Sequence, residues 1–442
     1  TAPTCADDVA AVSDRLDSLQ SMISTAVDYS IMELYLIQPE KSVILPIHSN
    51  FRKSQNKDVI IYAGSAPMPV VSESMHMGIL RSANSQESAV QENIKKARRT
   101  IHSLMGAGLH GENGLDPDTS IHLLQIYVIP VLLYGLEVVL PKGVHLDRLE
   151  RVHKGFIKQI LSLPQTVADP AVYILSGAIP VEAVIHKRAL TFYGSICRLD
   201  ESTIEKTLAR RQLCVKSYAG NSWFVEIRRL CVKYGLADPY SFLDCPPSKY
   251  QWKRMVREAV NTYWASTLKE RAALYQALDF LHVDNFWPGK KHPIIMNVGN
   301  VTDIPRIHTK LKMVTGTYVL QSNRASFNQN QVDATCQLCH QADETISHFL
   351  LDCSSLETTR QPILGPIIDI ANRLAIPLDE PTNLLQLVLD RSRFAERLTA
   401  SALDSLYTDL DMLTRRFCHK LHTERYKRLS IIPKRKRNKR KQ

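Results

Sequence analysis

The chain has 442 residues, 44% of them hydrophobic, enough for two to four mostly globular domains with cores of their own. Its net charge of +11 suggests a nucleic-acid partner, but seven of those charges fall in the last nine residues. The body keeps only about +4, too little to name a partner. The nine cysteines are odd in number and irregularly spaced, no signal peptide opens the chain, and no apolar stretch approaches ~20 residues. On these features a reducing intracellular setting with no membrane partner is expected. With no initiator Met, and Thr1 beside a candidate strand, a fragment of a longer protein is expected.

"TAPTCADDV" places Asp7 and Asp8 at a turn, where such pairs are most often simply solvated. Leu16, Leu19, Ile23, Ala26, Ser30, Leu34 and Ile37 then recur at helical spacing, with Ser13 or Asp14 as N-cap, predicting one long amphipathic helix. "PEKSVILPI" turns into β-rich sequence, in which "DVIIYAG", "PVVSES" and "MHMGIL" read as short strands separated by Gly and Pro. From Gln86 helices dominate. "SAVQENIKKARRTIHSLMG" is basic and amphipathic, with Ile94, Ala97, Ile101 and Leu104 on one face. The most apolar segment, 117–140, holds Pro130, which should kink or break it, making it a core helix and not a membrane span. Two amphipathic helices follow, "DRLERVHKGFIKQILSLP" and "VEAVIHKRALTFYGSICRL". In the block 203–282, Trp252, Met255, Val256, Ala259, Val260 and Tyr263 form a stripe of the kind that usually packs a core. "FWPGKKHP" is a loop, and further helices run into the basic tail.

"GAGLHG" at 106–111 matches the dinucleotide fingerprint, but a helix precedes it and a turn-rich loop follows. It therefore reads as a connection between helices. "CQLCHQADETISHFLLDC" is more specific. Cys336 and Cys339 can straddle a metal from a tight turn, and His348 and Cys353, about one helical turn apart, can complete a tetrahedron. Three sulfurs and an imidazole suit structural Zn²⁺ with no position left for catalysis. The alternative is three core cysteines and a capping His, and His340 has the wrong spacing to join. The tail 434–442 is solvated charge whose density fits either nuclear import or phosphate contact. No Ser/His/Asp arrangement or phosphate loop stands at persuasive spacing.

Taken in order, "CADD", a helix, "PEKS", "HMGIL", a basic helical block with "LYGLE" and a late CCHC cluster resemble the carboxyl-terminal part of a non-LTR (LINE-type) retrotransposon reverse transcriptase, over roughly residues 1–355. The resemblance implies an α+β, predominantly α-helical chain. Its parts would be a partial palm with the primer grip (1–84), a helical thumb (85–200), a helical connector (201–300), a CCHC element (301–360), C-terminal helices (361–433) and a basic tail (434–442). Asp7 and Asp8 would be paired Mg²⁺-binding carboxylates of the polymerase, and Lys41 would meet the incoming nucleotide's phosphates. His76, Met77 and Gly78 would form the primer grip, and Lys95, Lys96, Arg98 and Arg99 would contact nucleic acid. Cys336, Cys339, His348 and Cys353 would be the family's zinc element, thought to handle nucleic acid.

The partners so implied are an RNA template, a DNA primer or target, and an upstream palm and fingers segment of the same polyprotein. The setting would be a nuclear or cytoplasmic ribonucleoprotein, the tail favouring the nucleus. Nucleotide joining uses two Mg²⁺ ions held by several carboxylate oxygens. The family's upstream aspartate and the first arm of the palm hairpin are expected to be missing before Asp7, leaving this isolated chain without polymerase activity. Cys5 and Gln38 also depart from the family's usual residues. The other expectation is a non-catalytic, zinc-dependent nucleic-acid-binding protein derived from such an element.

Overall fold

The computed structural model describes residues 4–5, 8–35, 37–38, 41–47, 60–82, 87–296, 298, 300–328, 331–378, 380–397 and 404–431. Among these residues helices dominate, and the strands form three separate antiparallel hairpins with no strand longer than four residues. The chain divides into two compact units, Thr1–Arg99 with Pro130–Leu149, and Thr100–Ile129 with Glu150–Gln442.

In the first unit Thr4–Cys5 pairs with Asp8–Val9, with Cys5 opposite Asp8. Asp7, and the side chain of Asp8, lie outside the described residues. The helix Leu16–Met32 is shorter than its periodicity suggests, because Leu34 takes a left-handed φ of 59° and leaves both itself and Ile37 beyond the helix. Its N-cap is Arg15, without a side-chain cap. Ser13 instead accepts the Arg15 N–H at 3.1 Å, forming a turn just ahead of the helix. Gln20 mimics a strand: its amide donates to the Tyr62 carbonyl and accepts the Tyr62 N–H, both at 2.8 Å.

"MHMGIL" is not one strand but a hairpin, Glu73–His76 paired with Ile79–Ser82. Met77 (φ 52°) and Gly78 (φ 73°) form its two-residue turn, the left-handed pair that matches strand twist. "PVVSES" contributes only a bridge from Val70 to Ile44 before Glu73 opens the hairpin. Within "DVIIYAG", only Tyr62–Ala63 is a strand among the described residues, pairing with Ala66–Pro67.

Glu87–Met105 buries Val90, Ile94, Ala97 and Ile101, with Leu104 half-buried. In the apolar segment, Pro130 has no N–H to offer the preceding turn, and a π-helical turn at Leu124–Val128 stands directly before it. Gly135, at φ 70°, then separates Ile129–Leu132 from Leu136–Val139. Among the described residues no helix is long and apolar enough to cross a membrane. "GAGLHG" connects helices, as its context requires.

The second unit is built around Lys249–Ala272, entered through a Ser248/Gln251 capping box. Trp252, Val256, Val260, Trp264, Leu268 and Ala272 form its buried stripe at steps of four, while Met255 and Tyr263 lie outside it and are exposed. The expected stripe was therefore rotated by part of a turn. Trp252 donates its indole N–H to the Leu190 carbonyl at 2.7 Å, and a Cβ on Gly194 would lie 2.0 Å from the indole ring. Gly194→Ala should lower stability by about 3 kcal/mol, because the Trp cannot withdraw without losing its buried hydrogen bond. Urea unfolding checks this.

His153 is fully enclosed, and burial, helped by neighbouring Lys154, pushes its pKa down to about 4. Unfolding frees it to protonate near its ordinary value, so acid favours the unfolded chain. The stability held by the neutral ring is present above about pH 6.5 and is lost as pH falls towards 4. Between pH 7 and pH 5 the loss is about 2 kcal/mol, and His153→Phe should flatten that part of the pH–stability curve.

Candidate metal centre and nucleic-acid surface

The CCHC segment folds so that all four side chains converge. The Cys336 N–H donates to the Ala342 carbonyl at 2.8 Å, the His340 N–H to the Cys336 carbonyl at 2.9 Å, and Thr335 bridges Asp343. This tight turn needs a left-handed residue, and His340 supplies it at φ 57°, its ring exposed and outside the cluster. The second pair comes from a π turn, His348–Asp352, closed by the Cys353 N–H on the His348 carbonyl at 2.7 Å. Ser355 donates to the Leu338 carbonyl at 2.9 Å and joins the two halves. Buried Arg360 donates to the carbonyls of Leu350 (2.9 Å) and Cys353 (2.7 Å) and pairs with Glu357.

The ligand atoms of Cys336, Cys339, His348 and Cys353 lie within 4.8 Å of one another, with Cys336 Sγ to Cys353 Sγ at 3.9 Å and Cys339 Sγ to His348 Nε2 at 3.2 Å. A tetrahedral zinc with ordinary bond lengths would set these edges at about 3.8 and about 3.5 Å. The donor set therefore fits one metal ion, and its sulfur-rich composition is compatible with zinc. Electrostatics agrees. Burial pushes the Cys353 thiol up to about 12 and raises Cys336 as well. Burial also opposes the Cys339 thiolate, but the N–H groups of Gln341 and Ala342 and the neighbouring thiols outweigh it and lower its pKa. Three sulfurs this close cannot all ionise unaided, whereas a divalent cation would draw off their protons.

Two stretches singled out in the sequence also meet. The hydroxyl of Tyr134, in "LYGLE", donates to the Met77 carbonyl at 3.0 Å, and a Cβ on Gly135 would lie 2.6 Å from Ile79. Asn93 ties the same loop to the basic helix by donating to the Tyr134 carbonyl at 2.8 Å. His76 is half-buried, while Met77 and Gly78 are exposed at the hairpin tip. On the basic helix Lys95, Arg98 and Arg99 are exposed, and half-buried Lys96 pairs with Glu92 at 3.9 Å. Lys41 is exposed in a turn, its N–H on the Gln38 carbonyl at 3.1 Å. The tail from 432 onward lies outside the described residues.

No protein-family model and no curated protein sequence matches the chain.

The fold also assembles a Ser/His/Asp group that sequence spacing did not offer: Ser392, His292 and Asp390. It is poorly arranged for catalysis. Ser392 donates to Asp390 at 2.6 Å, and His292 Nδ1 accepts the Ile294 N–H at 3.3 Å. Nε2 must then carry the ring proton, facing the His282 carbonyl at 3.1 Å, so no basic nitrogen faces the hydroxyl. All three side chains are buried, which makes them a satisfied core network.

Sequence reading missed Glu344 and Arg425. Their buried, two-pronged ion pair, at 2.7 and 2.8 Å, fastens the metal hairpin to the helix Asp404–Ile431. The partners lie 81 residues apart, and no local spacing announces them.

Proposed function

We propose that this chain is a carboxyl-terminal part of a non-LTR retrotransposon RNA-directed DNA polymerase that holds RNA and DNA. In this reading 1–84 corresponds to palm and primer grip, 85–200 to thumb, and the Cys₃His cluster to a structural zinc element. The observation that carries it is the meeting of "HMGIL" with "LYGLE" through Tyr134 and Met77, 57 residues apart, beside a helix exposing Lys95, Arg98 and Arg99. A backbone turn with two left-handed residues, buttressed from behind, is a rigid edge on which a nucleic-acid strand can rest. Neighbouring cations would supply the phosphate attraction. Asp7 and Asp8 would bring Mg²⁺ to a complete polymerase.

The second reading, a non-catalytic nucleic-acid-binding protein derived from such an element, is favoured by one observation. The hairpin turn, the exposed Lys95, Arg98 and Arg99 and the converging Cys₃His ligands are all arrangements that need no catalytic carboxylate.

The test is binding of the full chain to an RNA–DNA primer–template at rising salt. Lys95→Gln with Arg98→Gln and Arg99→Gln should weaken it about tenfold and make the salt dependence shallower. Unchanged binding defeats both readings. Neither reading expects this isolated chain to lengthen the primer with Mg²⁺, so robust primer extension would overturn the expectation of an incomplete polymerase site.

A further inference from the structure

The metal hairpin is itself a poor phosphate binder. Between Arg324 and Arg360 there is no Lys or Arg, while Asp333, Asp343, Glu344, Asp352 and Glu357 all carry acid groups. Three thiolates on one divalent cation would add a further negative charge. Electrostatic attraction, the main term in nucleic-acid affinity, is thus absent from the element that the resemblance would assign to it.

The cations lie instead on the helix that the hairpin grips. Along Asp404–Ile431, Leu410, Thr414, Phe417, Cys418, Leu421 and Arg425 face the core. Arg416, Lys420 and Lys427 are exposed, and at about 100° per residue they fall within about 40° of one another, spread over about 16 Å of helix. None of the three pairs with a described carboxylate. Glu424, near the stripe, is held by Arg428 at 2.8 Å. That contact, with the fields of Lys427 and Lys420, depresses the Glu424 pKa. In sequence, this helix is followed by the basic residues 434–441.

The hairpin fixes this helix at three points. Arg425 forks onto Glu344, its guanidinium lies 5.8 Å from the Phe349 ring, and Arg428 donates to the Ser355 carbonyl. We propose that the Cys₃His element does not touch nucleic acid but clamps the carboxyl-terminal helix, whose Arg416, Lys420 and Lys427 track the phosphate backbone of RNA. The proposal rests on the nucleic-acid reading above and adds where the phosphates sit and what the metal is for.

The test uses the full chain, a short single-stranded RNA and rising KCl. Arg416→Gln with Lys420→Gln and Lys427→Gln should weaken binding about tenfold and reduce the log–log salt slope by about 2, at about 0.7 per phosphate contact. Metal content and helicity should not change. Gln337→Glu with His340→Glu, on the hairpin's exposed face, should leave affinity within about twofold. The clamp is overturned if the hairpin variant loses binding while the helix variant keeps it, or if the wild type binds phosphatidylserine vesicles but not RNA. A wild type that binds no RNA defeats the nucleic-acid reading as well. RNA binding weakened by the Lys95, Arg98 and Arg99 changes but not by the helix changes overturns this proposal alone.

Discussion

Protein purified without chelator should carry about one zinc per chain, and Cys353→Ser should abolish it while unfolding the segment from Thr335 to Leu356. The reason is the thiol chemistry. Burial holds Cys353 and Cys336 in their protonated forms, and no Lys or Arg lies in the segment to favour their anions. Without a cation the cluster is two buried sulfurs, a half-buried one at Cys339 and an imidazole, with little to hold them together. With one, the ion's binding energy becomes folding energy, about 10–16 kcal/mol in isolated zinc-finger peptides. In a chain of this size that energy exceeds what local opening requires, so the visible effect is loss of the hairpin and not of the whole fold. Amide hydrogen exchange should show protection at Cys336, Glu344, Phe349 and Cys353 collapse on chelation, while Trp252 and Val256 keep theirs. Metal-free protein with the hairpin still protected would leave three ordinary core cysteines.

That cluster was legible because its four ligands lie within one short stretch and their spacing has a chemical meaning by itself. Other features were legible only in part, because periodicity records which residues are apolar and not where the backbone turns. Leu34 and Ile37 keep the helical rhythm after the helix has ended. Met255 and Tyr263 keep it on the wrong side of Trp252. In "MHMGIL" the apolar run outweighed Gly78, although a glycine after a possible turn residue is the usual mark of a hairpin. The helical class of the chain was read correctly, since it sums over many such segments. Contacts across long separations, such as Tyr134 with Met77 or Glu344 with Arg425, leave no local trace, and yet these determine what the turn and the hairpin can hold.

The second large effect is expected at Arg425. Its Nε and Nη2 both reach Glu344, whose Oε2 also accepts the Gln321 N–H at 2.9 Å, and both side chains are almost wholly buried. Arg425→Met leaves a carboxylate with one backbone donor in place of a full set, a change that typically costs about 3–5 kcal/mol. Glu344→Gln alone keeps the acceptor for Gln321 but strands the guanidinium, and should cost a similar amount. The two changes together, with Met in place of Arg425 to refill its contact with Tyr318 and Phe349, remove both charges and should recover most of the loss. A double-mutant cycle in urea therefore separates the charge pair from the packing around it. A near-zero coupling energy would mean that aromatic packing alone holds hairpin to helix. A strong one makes the pair the lock: with it broken, chelating the metal should no longer alter the helix, because hairpin and helix have already parted.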